Sequence, residues 1–283
     1  MINVITGSKK GVSLDLSAKV DGPQKVVDNL IKGLEISGIE FSFNEFSFEN
    51  TIALSGPAGI SVPAHMKNKT IVGPQVWPYN NNYSGDEFLK VIAPSQWVAD
   101  SFIRDTNIKK VLVWPVGIDT YIFNPTEEEK EYDCLIYFKR REGHELEHVT
   151  NLLKAKNQTY KMLSYGSYKQ SEFIDLVRKC KYVFMIDGSE SQGIAYLEIL
   201  SMGAPIFNWD IIDFPYLGEK YNIYCTSAPY WSDECGVKVY NKEDVDTKFD
   251  DFLDNINWFN PRNYILENLT LERQAKELIN AFT

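Results

Sequence analysis

Short runs of β-branched and aromatic residues alternate along this chain with segments whose apolar residues recur every three or four positions. In the second half the runs are DCLIYF (residues 133–138), YKMLSYG (160–166), KYVFMID (181–187) and PIFNWD (205–210). Each is apolar on both faces rather than on alternate residues, so a strand formed there needs cover from above and below. Helices supply that cover when they cross between parallel strands, which makes a doubly wound α/β sheet the expected fold.

The first half repeats the pattern with INVIT (2–6), FSFNEF (41–46), TIALSG (51–56), KTIVGPQV (69–76), KVIAPS (90–95) and KVLVWPV (110–116). Between the first two, Val26, Val27, Leu30, Ile31 and Leu34 mark one helix face, with Pro23 suited to its first turn and Gly38 to its end. SQWVADSFIRD, led by Ser95, predicts another helix, and the chain from NKEDVDTKF onward reads as helical with an interruption at NPRN. A turn-rich acidic stretch, residues 116–133, separates the two halves. With 283 residues the expectation is two domains, residues 1–117 and 118–262, followed by a C-terminal helix within 263–283.

Composition excludes several functions. A formal net charge of −10 disfavours nucleic acid or anionic lipid as the main partner, because both would repel the protein on average. No run approaches the ~20 apolar residues of a membrane span. Four cysteines without a CxxC pair read as reduced thiols, and with no secretory pattern at MINVITGSKK a cytoplasmic location is expected. Phosphate-loop GKS/T, HExxH and Ser-His-Asp patterns are all missing, and three scattered histidines do not suggest a metal site.

The segment with chemistry in it is SESQGIAYLE, residues 189–198. A helix rises about 1.5 Å per residue, so full helicity would hold the Glu190 and Glu198 backbones roughly 12 Å apart, too far to share a proton. The segment follows KYVFMID, and in open α/β sheets ligands bind outside the carboxyl ends of strands, where a starting helix offers unpaired N–H groups to an anion. A diphosphate fits Ser191, Gln192, Gly193 and Ile194, with Gly193 allowing close backbone approach. One acid at each end of a diphosphate describes a nucleotide sugar; two solvated glutamates describe the same spacing without function.

GSESQGIAYLEILSMGAPI (188–206) resembles the Glu-x7-Glu signature of retaining GT-B glycosyltransferases, the glycosyl transferases group 1 kind, through Glu190, Gly193, Glu198, Gly203 and Pro205. VIAPSQWVADSFI (91–103), VLVWPVGIDTYIFNP (111–125), GPQKVVDNLIKGLEISGIEFSF (22–43) and FNPRNYILENLTLERQAKEL (259–278) resemble further segments of that family. The resemblance implies two Rossmann-like domains facing a cleft, the first short and acceptor-binding, with the C-terminal helix crossing back to it. It implies transfer of a hexosyl or pentosyl unit from a UDP- or GDP-linked donor to a saccharide or glycoconjugate acceptor, with retention, no metal and no further cofactor. Glu190 would act at the sugar and Glu198 at the ribose. The family's G-R-x4-K-G is replaced by YFKRREGH (137–144), so the diphosphate falls to Lys139, Arg140 or Arg141, with the choice among them open. His65 matches a histidine near the donor sugar in some members, Gly22 the glycine loop facing the phosphates, and Tyr165, Gly166 and Tyr168 a rim for the base. A silent nucleotide-sugar-binding subunit and an epimerase of the same fold are the alternatives.

Overall fold

A computed structural model of the protein describes residues 1–11, 15–17, 22–54, 61–74, 87–106, 108–216 and 221–283. The ends of two expected strands, residues 55–56 and 75–76, lie outside the described residues. The chain forms two compact units, Met1–Leu14 with Asp21–Gly117 and Leu269–Thr283, and Asp15–Val20 with Ile118–Asn268.

In the first unit β1 (Ile2–Thr6), β2 (Phe41–Phe43), β3 (Thr51–Leu54), β4 (Thr70–Gly73), β5 (Lys90–Ala93) and β6 (Val111–Val113) form one sheet in the order β2-β1-β3-β4-β5-β6. All its pairings are parallel. Helix α1 (Gly22–Ile36) buries Val26, Val27, Leu30, Ile31 and Leu34, the stripe its sequence spacing predicts. It ends in a Schellman turn: Gly38 has φ +66°, its N–H donates to Glu35 O, and the Ile39 N–H donates to Leu34 O at 3.0 Å. Helix α2 (Gln96–Asp105) lies against β5 and β6.

The C-terminal helix (Leu271–Asn280) packs on α1 within this unit. Glycine makes the approach possible. A Cβ on Gly33 would stand 2.5 Å from Leu271 O, and one on Gly117 2.5 Å from Leu271 Cα. Trp114 Nε1 donates to Gln274 O at 2.9 Å, and Lys90 Nζ to Ala281 O at 2.6 Å, so the helix is pinned at both ends by hydrogen bonds as well as by packing.

The second unit contains β7 (Tyr132–Lys139), β8 (Tyr160–Ser164), β9 (Cys180–Asp187), β10 (Ile206–Trp209), a hairpin of β11 (Asp213–Tyr216) and β12 (Tyr221–Tyr224), and β13 (Gly236–Val239). The parallel sheet runs β13-β10-β9-β7-β8, and the hairpin is antiparallel. Helices α3 (Gly143–Ala155), α4 (Gln170–Lys179), α5 (Ile194–Ser201), α6 (Lys242–Asp254) and α7 (Pro261–Asn268) complete it.

Strand period explains the cover. Cys134, Ile136, Tyr182, Phe184, Ile186, Phe207 and Trp209 share one buried cluster with Val149 and Leu153 of α3 and Val245, Phe249 and Phe252 of α6. The alternate residues Leu135, Tyr137, Val183 and Met185 are buried too, which demands the second layer of helices. The second unit extends to Asn268 rather than ending at 262, because Arg262 donates to the carbonyl oxygens of Ser201 (2.6 Å), Phe123 (3.2 Å) and Thr120 (3.2 Å). The helix expected within 263–283 is accordingly broken at Leu269, and Thr270 caps a new one by accepting from the Arg273 N–H.

In this order β7 has its successor β8 on one side and β9 on the other. Connections leaving β7 and β9 therefore diverge, opening a crevice between their carboxyl ends.

Phe249 touches the rings of Tyr182, Phe184, Phe207 and Phe252. Phe249→Ala is expected to cost about 3–5 kcal/mol in denaturant unfolding. A loss below about 1 kcal/mol would mean that this helix layer is not holding the sheet.

Candidate functional site

Four charged side chains meet at the carboxyl ends of β7 and β9. Lys139 is the last residue of β7 and its side chain is only 9% exposed. Its ammonium group donates to Glu190 Oε1, lies 3.9 Å from Asp187 Oδ2, and sits 4.0 Å from the centre of the Tyr165 ring. A buried ammonium needs such company, since burying an unpaired charge is costly.

Arg140 follows with φ +52°, in the left-handed region where a non-glycine residue is strained by about 1 kcal/mol or more. That conformation turns the chain out of β7 and aims the guanidinium at the β9 loop. Its Nη2 donates to Ser189 O and to Glu190 Oε1, the latter at 2.7 Å, and lies 4.0 Å from Asp187 Oδ1. Lys139 and Arg140 thus converge on a single carboxylate oxygen.

Arg141 goes elsewhere. Its guanidinium holds Glu145 in a bidentate pair and donates to Asp187 O at 3.1 Å and Trp209 O at 2.8 Å. Burial works to raise the Glu145 carboxyl, and the Arg141 hydrogen bonds outweigh it and hold it below its ordinary value. Glu145 also accepts from the Glu142 N–H, closing the start of α3. Arg141 ties three elements together with its donors already committed.

Asp187, the last residue of β9, is 2% exposed. Burial, then the neighbouring Glu190 charge, pushes its carboxyl well above the ordinary value, against the pull of Lys139 and Arg140. Beyond it, Ser189 Oγ and Gln192 Nε2 are buried without a hydrogen-bond partner. Such groups are costly to leave unmet, and both flank the start of α5. Gly193 caps that helix with φ +74°, and a Cβ there would collide with the Tyr196 ring. Tyr196 cannot retreat, because its hydroxyl donates to Tyr230 O at 3.1 Å and accepts from the Tyr230 N–H at 2.7 Å.

The structure therefore gathers Lys139, Arg140, Glu190, Ser191, Gln192, Gly193 and Ile194 along one crevice, with Ser191 and Ile194 half-buried. Glu198 sits in the second turn of α5, 1% exposed. After burial, its charge contributes to raising the Tyr168 phenol, whose hydroxyl lies 3.2 Å from that of Tyr137. Tyr165 is half-exposed beside Lys139, whereas Tyr168 is stacked on Phe173 in the core. Gly166, at φ +80°, makes the turn between them.

Gly22 and His65 belong to the first unit. Gly22 is the first residue of α1 and faces open space, with nothing within 4 Å of an added Cβ. His65 is exposed on a short 3-10 turn, Ala64–Lys69.

Sequence reading passed over Asp187, which immediately precedes the signature segment, and Ser189, which lies within it. It also left Arg141 level with its neighbours, where the i,i+4 spacing to Glu145 was a visible signal for pairing. Arg140's backbone conformation has no sequence signal of its own.

Solved structures similar to this chain include glycosyltransferases. A glycosyltransferase involved in avilamycin A biosynthesis, AviGT4, superposes with TM-score 0.63 at 12% identity, covering 99% of this chain and 96% of its own. Sucrose-phosphate synthase from Thermosynechococcus elongatus gives 0.60 at 10% identity over 99% and 97%. The lipopolysaccharide outer core galactosyltransferase WaaB gives 0.58 at 12% identity over 99% and 98%. No protein-family model and no curated protein matches the sequence. At these identities the likeness shows the fold, an α/β arrangement shared along nearly the whole chain. No helix among the described residues is long and apolar enough to cross a membrane.

The raised Asp187 carboxyl carries a pH consequence. A group that binds its proton more tightly folded than unfolded supports the fold below its ordinary value of 3.8 and withdraws that support as pH rises through the raised value. Asp187→Asn is expected to melt higher than the parent near neutral pH, with the difference closing as pH falls toward 3.8. A lower melting temperature across the whole range would show Asp187 to be a net stabilising anion.

Proposed function

We propose that this protein is a glycosyltransferase that moves a sugar from a UDP- or GDP-linked donor to a saccharide or glycoconjugate acceptor with retention of anomeric configuration. The observation that carries the proposal is the convergence of Lys139 and Arg140 on Glu190 at the crevice, next to a helix start with two buried polar groups unmet. A ligand bringing a diphosphate and a polyhydroxylated ring meets both needs: anionic oxygens for the cations and helix N–H groups, acceptors and donors for Ser189 and Gln192.

In this scheme the diphosphate lies over the first turn of α5, with Gly193 leaving room for it, and Lys139 and Arg140 turn from Glu190 to its oxygens. Glu190 is then free to take the sugar hydroxyls, and Glu198 those of the ribose. The bond from the anomeric carbon to the phosphate oxygen breaks while the acceptor oxygen bonds to the same face, and the acceptor proton passes to the departing phosphate. Lys139 and Arg140 stabilise the charge that develops on the leaving group. Because cations of the chain supply that charge, the proposed reaction runs without a metal. Transfer undiminished by chelator is the expected outcome, and metal-dependent turnover would contradict it.

Gly22 and His65 enter as further proposals, His65 near the donor sugar and Gly22 as a backbone approach to the phosphates. Likeness to glycosyltransferases over nearly the whole chain supports the transferase reading over an epimerase.

The test is a panel of UDP- and GDP-sugars, read by equilibrium binding and slow donor hydrolysis. One donor class is expected to bind, and silence across the panel would refute the proposal. Glu190→Gln should abolish transfer yet bind the nucleoside diphosphate several-fold tighter, since its cations are released. Glu198→Ala should weaken the same binding by about tenfold, the worth of a charge-assisted hydrogen bond.

A further inference from the structure

Resting on the proposed role of Glu190, we infer that Asp210, through Thr226, is the positioning residue that fixes where Glu190 stands. The Glu190 backbone N–H donates to Thr226 O at 3.0 Å. Thr226 in turn is set by Asp210, the residue that follows β10: its hydroxyl donates to Asp210 Oδ2 at 2.5 Å. The other oxygen, Oδ1, accepts from the Ser227 N–H at 2.6 Å, the Ser227 hydroxyl at 2.7 Å and the Ile211 N–H at 2.8 Å. The carboxylate is 1% exposed, so each bond is shielded from water.

The rest of the arrangement holds Asp210 itself. Its own N–H donates to Val239 O at 2.8 Å, and Lys238 Nζ lies 3.4 Å from Oδ2 while donating to Ala228 O at 2.7 Å. Asn208 Nδ2 reaches the Ser227 hydroxyl at 3.1 Å. Residues 226–228 are thus clamped to the ends of β10 and β13, and β10 is the strand beside β9. A loop with three hydrogen bonds to one carboxylate, two of them from side-chain hydroxyls, presents the Thr226 carbonyl toward the β9 loop, and Glu190 hangs from it.

Glu190 needs that support. Two cations, Lys139 at the end of β7 and Arg140 just after it, pull on its side chain, while the Thr226 carbonyl holds its backbone N–H. When a diphosphate draws those cations away, the Thr226 carbonyl is what keeps the Glu190 backbone from following. A shift of order 1 Å at such a residue can cost up to ~10²-fold in rate.

Thr226→Val is the informative substitution. It removes the hydroxyl that Asp210 holds and leaves the Thr226 carbonyl, whereas Asp210→Asn also strands Lys238 beside a neutral group and can fail to fold. Hydrogen exchange followed by mass spectrometry on the ligand-free protein reads the Glu190 amide directly. The peptide holding Glu190 is expected to exchange about tenfold faster in Thr226→Val, with the β9 peptide before it unchanged. Thr226→Ser should restore protection. Donor turnover with the UDP- or GDP-sugar that binds should fall about 10- to 100-fold with KM nearly constant, again restored by serine.

Unchanged exchange at Glu190 overturns the inference. So does faster exchange with turnover and KM both unaltered, which would make the loop merely structural. If the parent binds no nucleotide sugar, the functional reading fails on its own, and the exchange result still decides whether Asp210 fixes Glu190. Should Thr226→Val not fold, Ser227→Ala tests the same clamp through the other oxygen, with the same two outcomes.

Discussion

The buried ammonium of Lys139 is the interaction on which the candidate site depends. It ends an inner strand of the sheet with its side chain largely withdrawn from water, so the chain must bring anions to it. Asp187 ends β9, the neighbouring strand, Glu190 lies in the loop that follows it, and Arg140 adds a second cation at the cost of a left-handed backbone. Strain of that kind persists only where the surroundings over-determine it, and here the guanidinium is held by both Ser189 O and Glu190. The result is a compact group of two cations and two carboxyls, one of them reluctant to ionise.

The two parallel sheets were legible in the sequence because their strands are apolar on both faces; KYVFMID cannot be anything but covered from both sides. Helix α1 was equally legible, from its stripe and from Gly38. The β11–β12 hairpin was not, because DFPYLGEKYNIY carries aromatic residues without clean alternation, and β13 is too short to stand out from its surroundings. The split of the C-terminal region at Leu269 was hidden as well. It follows from Arg262 reaching carbonyls distant in sequence, and no local pattern announces three backbone acceptors.

At the site, the spacing of Glu190, Gly193 and Glu198 told where to look, and the run Lys139, Arg140, Arg141 told that a cation stood opposite. Three consecutive basic residues look alike in a sequence; strand alternation and one left-handed residue separate them. Lys139 and Arg140 face Glu190, and Arg141 becomes a tie between α3, β9 and β10 through Glu145 and two carbonyls. Asp210 and Thr226 could not be connected to Glu190 without the sheet order, since they are brought beside it only by the adjacency of β9 and β10.

The central claim is that the Lys139 and Arg140 pair accepts a diphosphate in place of Glu190. Isothermal titration of the ligand-free protein with uridine, UMP and UDP, and with the guanosine series, tests it most directly. Within one series the diphosphate is expected to bind at least about tenfold tighter than the nucleoside, with the gain shrinking as salt rises. Equal affinity for nucleoside and diphosphate, or no binding in either series, would contradict the account.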